Sequence, residues 1–233
     1  MSAGHGRDAV RLVVLWAAIV CVVIAVGLAL TGPLSTSVGV VDNAFERKVA
    51  SRRTADLTGV AQAVSLLGET WIQLLLVFVL LICIWLVLRL VRPMIFLAVV
   101  AFGELAAYLV TVSVVSRPRP PVRLLDPGLE PLHSYPSGHV AAAMATYGGV
   151  AVLMWIHGGE RRRWLCVLLV FVPPLVAVGR LYLRAHHPTD VLVSLVFMSA
   201  WLAAAAAVVL PPPSTAAVVG DVDRSRRSPG LSP

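Results

Sequence analysis

Six apolar runs, each long enough to cross a bilayer as a helix, divide this chain and leave room for few other folds. A hydrocarbon core about 30 Å thick takes roughly 20 residues of α-helix. Within lipid, every peptide group of such a segment must be satisfied inside it. The runs cover residues 12–30, 71–88, 94–115, 140–156, 164–179 and 191–210. Composition agrees, because 58% of the 233 residues are hydrophobic and only 13% are charged, against about 25% charged in soluble domains. The expected fold is all-α, a polytopic membrane bundle with six transmembrane spans. It has three parts: a cytoplasmic N-terminus over 1–11, a six-span domain over 12–210, and a disordered cytoplasmic tail rich in Pro, Ser and Arg over 211–233.

Several runs carry local signals. Arg7 and Arg11 precede the first, but its length and the lack of a small-x-small cleavage site favour a retained anchor over a signal peptide. Pro173 and Pro174 should kink the fifth, since each removes a backbone donor and clashes one turn back. Between the first two runs, Phe45, Val49, Leu57, Val60 and Val64 recur at near-helical spacing among charges, which suggests a helix lying in the outer interface. Basic residues divide almost evenly between the two sides, so Arg161, Arg162 and Arg163 together set the orientation, with both termini inside. The net charge of +7 does not point to nucleic acid, because the basic residues are scattered between apolar runs and form no stripe. Cys21, Cys83 and Cys166 lie in or beside apolar runs without metal-ligand spacing and read as buried thiols.

Three polar clusters stand out: Ser116-Arg117-Pro118-Arg119-Pro120, Pro136-Ser137-Gly138-His139, and Arg180 followed by His186 and Asp190. They fall at the end of the third run, the start of the fourth, and between the fifth and sixth. Antiparallel threading places all of these ends on one side of the membrane, whichever way up the protein sits. Arginine forks match phosphate oxygens in charge and geometry. Ser137-Gly138 opening a helix offers backbone N–H groups and a positive dipole end. Two histidines can serve as nucleophile and general acid, and Asp190 is spaced to fix an imidazole tautomer. The constellation reads as phosphoryl transfer.

These residues resemble the three signature motifs of the type-2 phosphatidic acid phosphatases: Arg119-Pro120, Pro136-Ser137-Gly138-His139, and Arg180-x5-His186-x3-Asp190. That superfamily includes lipid phosphate phosphatases and vanadium haloperoxidases, and the resemblance covers roughly residues 10–210. It implies that His186 attacks phosphorus to form a phosphohistidine, that Asp190 orients His186, and that His139 protonates the leaving oxygen. Arg119, Arg180, Ser137 and the Gly138 backbone would hold the phosphate oxygens. No metal and no cofactor is implied, because arginines take the place of magnesium as charge sink. The implied substrate is a lipid phosphate or pyrophosphate in the membrane, with the active site facing outside from the plasma membrane.

Two positions depart from the family pattern. Val112 stands where a lysine precedes the first motif, and Gly179 stands where a serine precedes Arg180. A missing lysine removes a phosphate contact of about 1–3 kcal/mol, and Arg117 and Arg123 are candidates to replace it. The alternative function is a weak or inactive lipid-phosphate binding or transport protein on the same fold. A zinc site from His186, His187 and Asp190 is the competing reading of the third cluster. Glu104, an acid in mid-span, reads as a carboxyl bonded within the bundle rather than a proton relay. The small-residue stretch 141–149 reads as close helix packing.

Overall fold

The computed structural model describes residues 2–126, 128–157, 159 and 163–210, and all of its named elements are helical. The expected tail over 211–233, and Arg161 and Arg162 of the orienting cluster, lie outside the described residues. Nine α-helices follow in order: α1 Ser2–Thr31, α2 Val38–Ala50, α3 Ala55–Leu66, α4 Thr70–Leu88, α5 Val91–Val114, α6 Gly138–Ala143, α7 Gly149–His157, α8 Arg163–Tyr182 and α9 Pro188–Val209. A π-helical turn, Met144–Gly148, joins α6 to α7, so these three form one span over Gly138–His157. Six segments are long and apolar enough to cross a membrane, one for each apolar run of the sequence.

Bounds differ from the sequence reading where helix geometry outlasts hydrophobicity. Helix α1 starts at Ser2, so most of the expected N-terminal segment is continuous with the first span. Helix α8 runs through Pro173 and Pro174 to Tyr182, carrying Arg180 in its last turn.

The segment between the first two spans holds two helices rather than the one expected. The chain breaks at 51–54, where the Thr54 hydroxyl accepts from the Leu57 N–H at 3.3 Å and starts α3. The face turned to the bundle is polar or small. Phe45, Leu57 and Val60 are 43%, 51% and 58% exposed, whereas Asp42, Glu46, Ala61 and Ser65 face the bundle. The reason is chemical: the span ends on this side carry arginines that need acids, and apolar side chains at an interface can face lipid.

Helix α5 sits at the centre of the bundle, with Phe96, Leu97 and Val100 fully buried. Two indoles fix it. Trp201 of α9 donates to the Val100 carbonyl at 3.2 Å, and Trp16 of α1 donates to the Gly103 carbonyl at 2.8 Å. A Cβ at position 103 would lie 2.5 Å from the Trp201 ring, so glycine is what lets α9 approach. The Tyr135 phenol donates to the Val23 carbonyl at 2.6 Å and ties the α5–α6 loop to α1. Large apolar residues such as Trp71, Phe78 and Phe171 are exposed on the bundle surface, where lipid tails are an apolar solvent.

Candidate active site

One end of the bundle contains a cavity of about 530 Å³ that reaches all three sequence clusters. Arg119 enters it from the loop after α5, Gly138 and His139 from the start of α6, Arg180 from the last turn of α8, and His186 from the α8–α9 loop. Below this basic end the wall is largely apolar, with Leu74 and Val77 of α4 facing Ala101, Phe102 and Leu105 of α5.

His186 is 4% exposed, and its Nδ1 lies 2.6 Å from the Ser134 carbonyl oxygen. A carbonyl only accepts, so Nδ1 carries the hydrogen and Nε2 keeps its lone pair. Burial, together with the positive charges of Arg180 and Arg119, pushes the His186 pKa well below the ordinary histidine value. A neutral imidazole with a free Nε2 can act as a nucleophile. The Nε2 of His139 lies 3.0 Å from a Glu69 carboxylate oxygen, which places a proton on that nitrogen.

Two arginines share the cavity. Arg180 is 1% exposed, and one of its terminal nitrogens donates to Ser65 Oγ at 2.8 Å and to Asp126 Oδ2 at 2.6 Å. Its Nε and Nη2 are buried without a hydrogen-bond partner among the described residues. Arg119 is held by backbone carbonyls: Glu130 at 2.9 Å, His133 at 3.0 Å and Ala185. Three of its five N–H groups are thereby used for positioning, and its charge still faces the cavity.

Not every expected contact forms. Asp190 does not touch His186. Its carboxylate accepts from Ser134 Oγ at 2.6 Å, from the His187 N–H at 2.8 Å and from Arg117. In the first turn of α9 the carboxylate folds back over the free N–H groups of the helix start, as acids there commonly do. Its link to His186 therefore runs through Ser134, whose hydroxyl binds Asp190 and whose carbonyl binds His186. Ser137 lies outside the cavity lining; its Oγ is buried without a partner among the described residues and its N–H donates to Ser194 Oγ at 2.9 Å. The helix start thus offers Gly138 to the cavity but not Ser137.

A family model of the PAP2 superfamily matches residues 92–212, more than half of the chain and the stretch that carries Arg119, Gly138, His139, Arg180, His186 and Asp190. The chain belongs to the PAP2 superfamily. Its fold resembles a crystal structure described as that of the first transmembrane PAP2 type phosphatidylglycerolphosphate phosphatase from Bacillus subtilis. The TM-score is 0.67 at 20% identity, covering 88% of this chain and 96% of that one. No curated protein matches the sequence.

Against the PAP2 pattern, the two departures find different accounts. A Cβ at Gly179 would lie 3.2 Å from the Ala61 carbonyl, so α3 packs tightly where the serine is missing, and α3 also delivers Ser65 to Arg180. Neither candidate for the lysine absent at Val112 reaches the cavity. Arg117 is paired with Asp42 at 2.8 Å and with Asp190, and Arg123 is exposed. The zinc reading loses its ligands, because His186 and His187 turn their ring nitrogens to different carbonyls, of Ser134 and Pro118, and no metal-like cluster forms among the described residues.

Four residues of the PAP2 site escaped the sequence reading: Glu69, Asp126, Ser65 and Tyr108. Glu69 and Asp126 were detectable in principle, since both are acids in segments that parity places on the site's side. Ser65 and Tyr108 carry no such signal, and only packing brings them in.

Proposed function

We propose that this member of the PAP2 superfamily dephosphorylates a lipid phosphate or pyrophosphate at the outer face of the plasma membrane, through a phosphohistidine on His186 and without a metal. The observation that carries this reading is the Arg180 guanidinium, fully buried at the cavity with two donor nitrogens unpaired. Such donors suit phosphoryl oxygens, and in a low-dielectric site they stabilise the spread charge of the transition state. A lipid substrate is favoured by the shape of the cavity. Its apolar wall is rimmed by Leu74, Phe102 and Leu109, which are 44%, 67% and 55% exposed on the surfaces of α4 and α5. An acyl or prenyl chain can stay in the bilayer between these helices while the headgroup meets the arginines.

The residues assign the steps. Nε2 of His186 attacks phosphorus as the bond to the lipid oxygen breaks, and that oxygen takes the proton of His139. Water then attacks the phosphohistidine, gives a proton back to His139, and inorganic phosphate leaves with His186 neutral again. Arg180, Arg119 and the Gly138 backbone hold the phosphoryl oxygens. Asp190 is a positioning residue that acts on His186 through Ser134. The domain that does this spans 12–210.

Phosphate release by purified protein from a panel of lipid phosphates tests the reading. Turnover should survive EDTA and be blocked by vanadate, which resembles the five-coordinate phosphoryl transition state. His186→Ala should abolish it with every substrate. His139→Ala should cost about 10²–10⁴-fold, and much of that loss should be recovered with p-nitrophenyl phosphate, whose leaving group needs no proton. Recovery by the position-186 variant instead would exchange the two roles, and binding without any turnover would favour a lipid-phosphate carrier.

A further inference from the structure

Below the arginines, the cavity holds one group that phosphoryl transfer does not use. Glu104 lies in mid-span on α5, is 7% exposed and lines the cavity wall. Its depth can be read from its own helix. Tyr108 packs its ring against Gly138, beside His139, and Glu104 precedes Tyr108 by one turn, about 6 Å further from the basic end. The backbone around it is pinned by the two indole hydrogen bonds, to Val100 and Gly103. None of the ion pairs among the described residues includes Glu104.

Glu104 is not alone at this depth. Gln73, the one polar interruption of the second apolar run, lines the same cavity, and its Oε1 is buried without a partner among the described residues. Thr146 comes to the wall from the π-helical turn Met144–Gly148, a distortion that often marks functional positions. Three helices thus each contribute a polar group to a stretch otherwise lined by Leu, Val, Ala and Phe. A purely hydrocarbon chain threaded past them would desolvate these groups and pair with none of them.

We infer that Glu104 is a specificity-determining residue that selects diacylglycerol phosphates over polyprenyl phosphates by hydrogen bonding to the ester groups just below the phosphate. In a diacylglycerol phosphate the ester carbonyls begin a few bonds from the phosphate ester oxygen, about one helical turn below the headgroup. In a polyprenyl phosphate that stretch is hydrocarbon. A carboxyl with no cation paired to it at this depth in a bilayer is least costly as the neutral acid, whose O–H can donate to an ester carbonyl. The inference rests on the lipid-phosphatase reading and names the substrate class within it.

The test is the ratio of kcat/KM for a diacylglycerol phosphate to that for a polyprenyl phosphate, both in mixed micelles. Taken on one preparation, this ratio is independent of the fraction of active protein. Wild-type protein should prefer the diacylglycerol phosphate. Glu104→Leu should lower the ratio about tenfold, the worth of one lost hydrogen bond. Glu104→Gln, which keeps a donor, should hold it within about threefold. Glu104→Met gives the same reading as the Leu variant should that one fail to accumulate. A wild-type preference for the polyprenyl lipid, or Leu and Met variants that change both substrates equally, would overturn the inference and leave the phosphatase reading standing. Wild-type protein that hydrolyses neither lipid would overturn the lipid reading and the selectivity with it.

Discussion

Four arginines at the cavity end of the bundle form two pairs, and the protein divides each pair between two environments. Arg117 and Arg119 are neighbours in one motif, and Arg180, in the last turn of α8, is four residues before Arg184 in the turn that follows. Arg119 and Arg180 line the cavity. Arg117 and Arg184 turn the other way, toward α2, where Arg117 meets Asp42 and Arg184 approaches Glu46 at 2.9 Å. Arg117 has its charge offset and its N–H groups engaged by Asp42 and Asp190, and Arg184 is turned to Glu46 and away from the cavity lining, so neither is placed to serve a phosphate. The difference shows that charge alone does not make an anion site here. The acids of α2 decide which arginines are structural, and they relieve the repulsion that four clustered cations would otherwise exert.

The comparison breaks most directly by removing one arginine from each side. Arg180→Ala takes away donors aimed at the phosphoryl group and should lower kcat/KM by about 10²–10³, with the unfolding temperature of the purified protein little changed. Arg117→Ala leaves Asp42 and Asp190, both buried, without a countercharge. It should cost about 3–5 kcal/mol of stability, read as a large fall in thermal unfolding temperature in detergent. Its turnover per folded molecule should fall far less than that of Arg180→Ala. Equal losses of turnover per folded molecule would mean that the division drawn above is not functional.

The sequence carried the bundle almost entirely, because a span announces itself by composition, and the six apolar runs match the six spans. It carried the gathering of Arg119, Gly138, His139, Arg180 and His186 as well, because the parity of the spans is a topological constraint. The signature motif singled out Arg119, but composition and spacing did not say what Arg117 does. Both sit in the same Arg-Pro repeat, and what separates them is the distant Asp42 and the position of Asp190 in the first turn of α9. Periodicity marked the apolar residues of α2 but gave no sign that Asp42 and Glu46 would be buried, because spacing does not show that the neighbouring surface is cationic. The same ignorance put Asp190 against His186, since spacing cannot see that Ser134 stands between them.

A finer probe of the α2 side is pH. Burial raises the Glu46 pKa from the ordinary 4.5 to about 7, outweighing the pull of Arg184, with which the carboxylate is close but not aligned for a hydrogen bond. The folded protein therefore holds a proton here that the unfolded chain does not. The corresponding stability is complete below about pH 4.5 and is lost as pH rises through about 7. Its size is at most about 3 kcal/mol. Between pH 5 and 8 the wild-type unfolding temperature should fall relative to that of Glu46→Gln, which cannot titrate. Parallel curves for the two proteins would mean that Glu46 is ionised throughout and bound to Arg184 as Asp42 is to Arg117.

The smallest expected effect lies on the cavity side, at the one place where the two environments overlap. Arg180 faces the cavity, yet Asp126 holds one of its nitrogens at 2.6 Å. Unlike Asp42, Asp126 is on a loop, with its side chain 31% exposed, so water can solvate it when it lets go and the pair is worth only about 0.2–1 kcal/mol. An incoming phosphoryl group competes with that carboxylate for the guanidinium edge and repels it. Asp126→Asn keeps the shape and removes the charge, so KM for the lipid phosphate and Ki for vanadate should both fall by roughly two- to fivefold. Because the competition is over in the bound state, kcat should stay within about twofold. If the Asn variant instead binds vanadate more weakly, Asp126 is holding Arg180 in its phosphate-binding pose, and the cavity arginine depends on an acid just as its neighbours on the α2 side do.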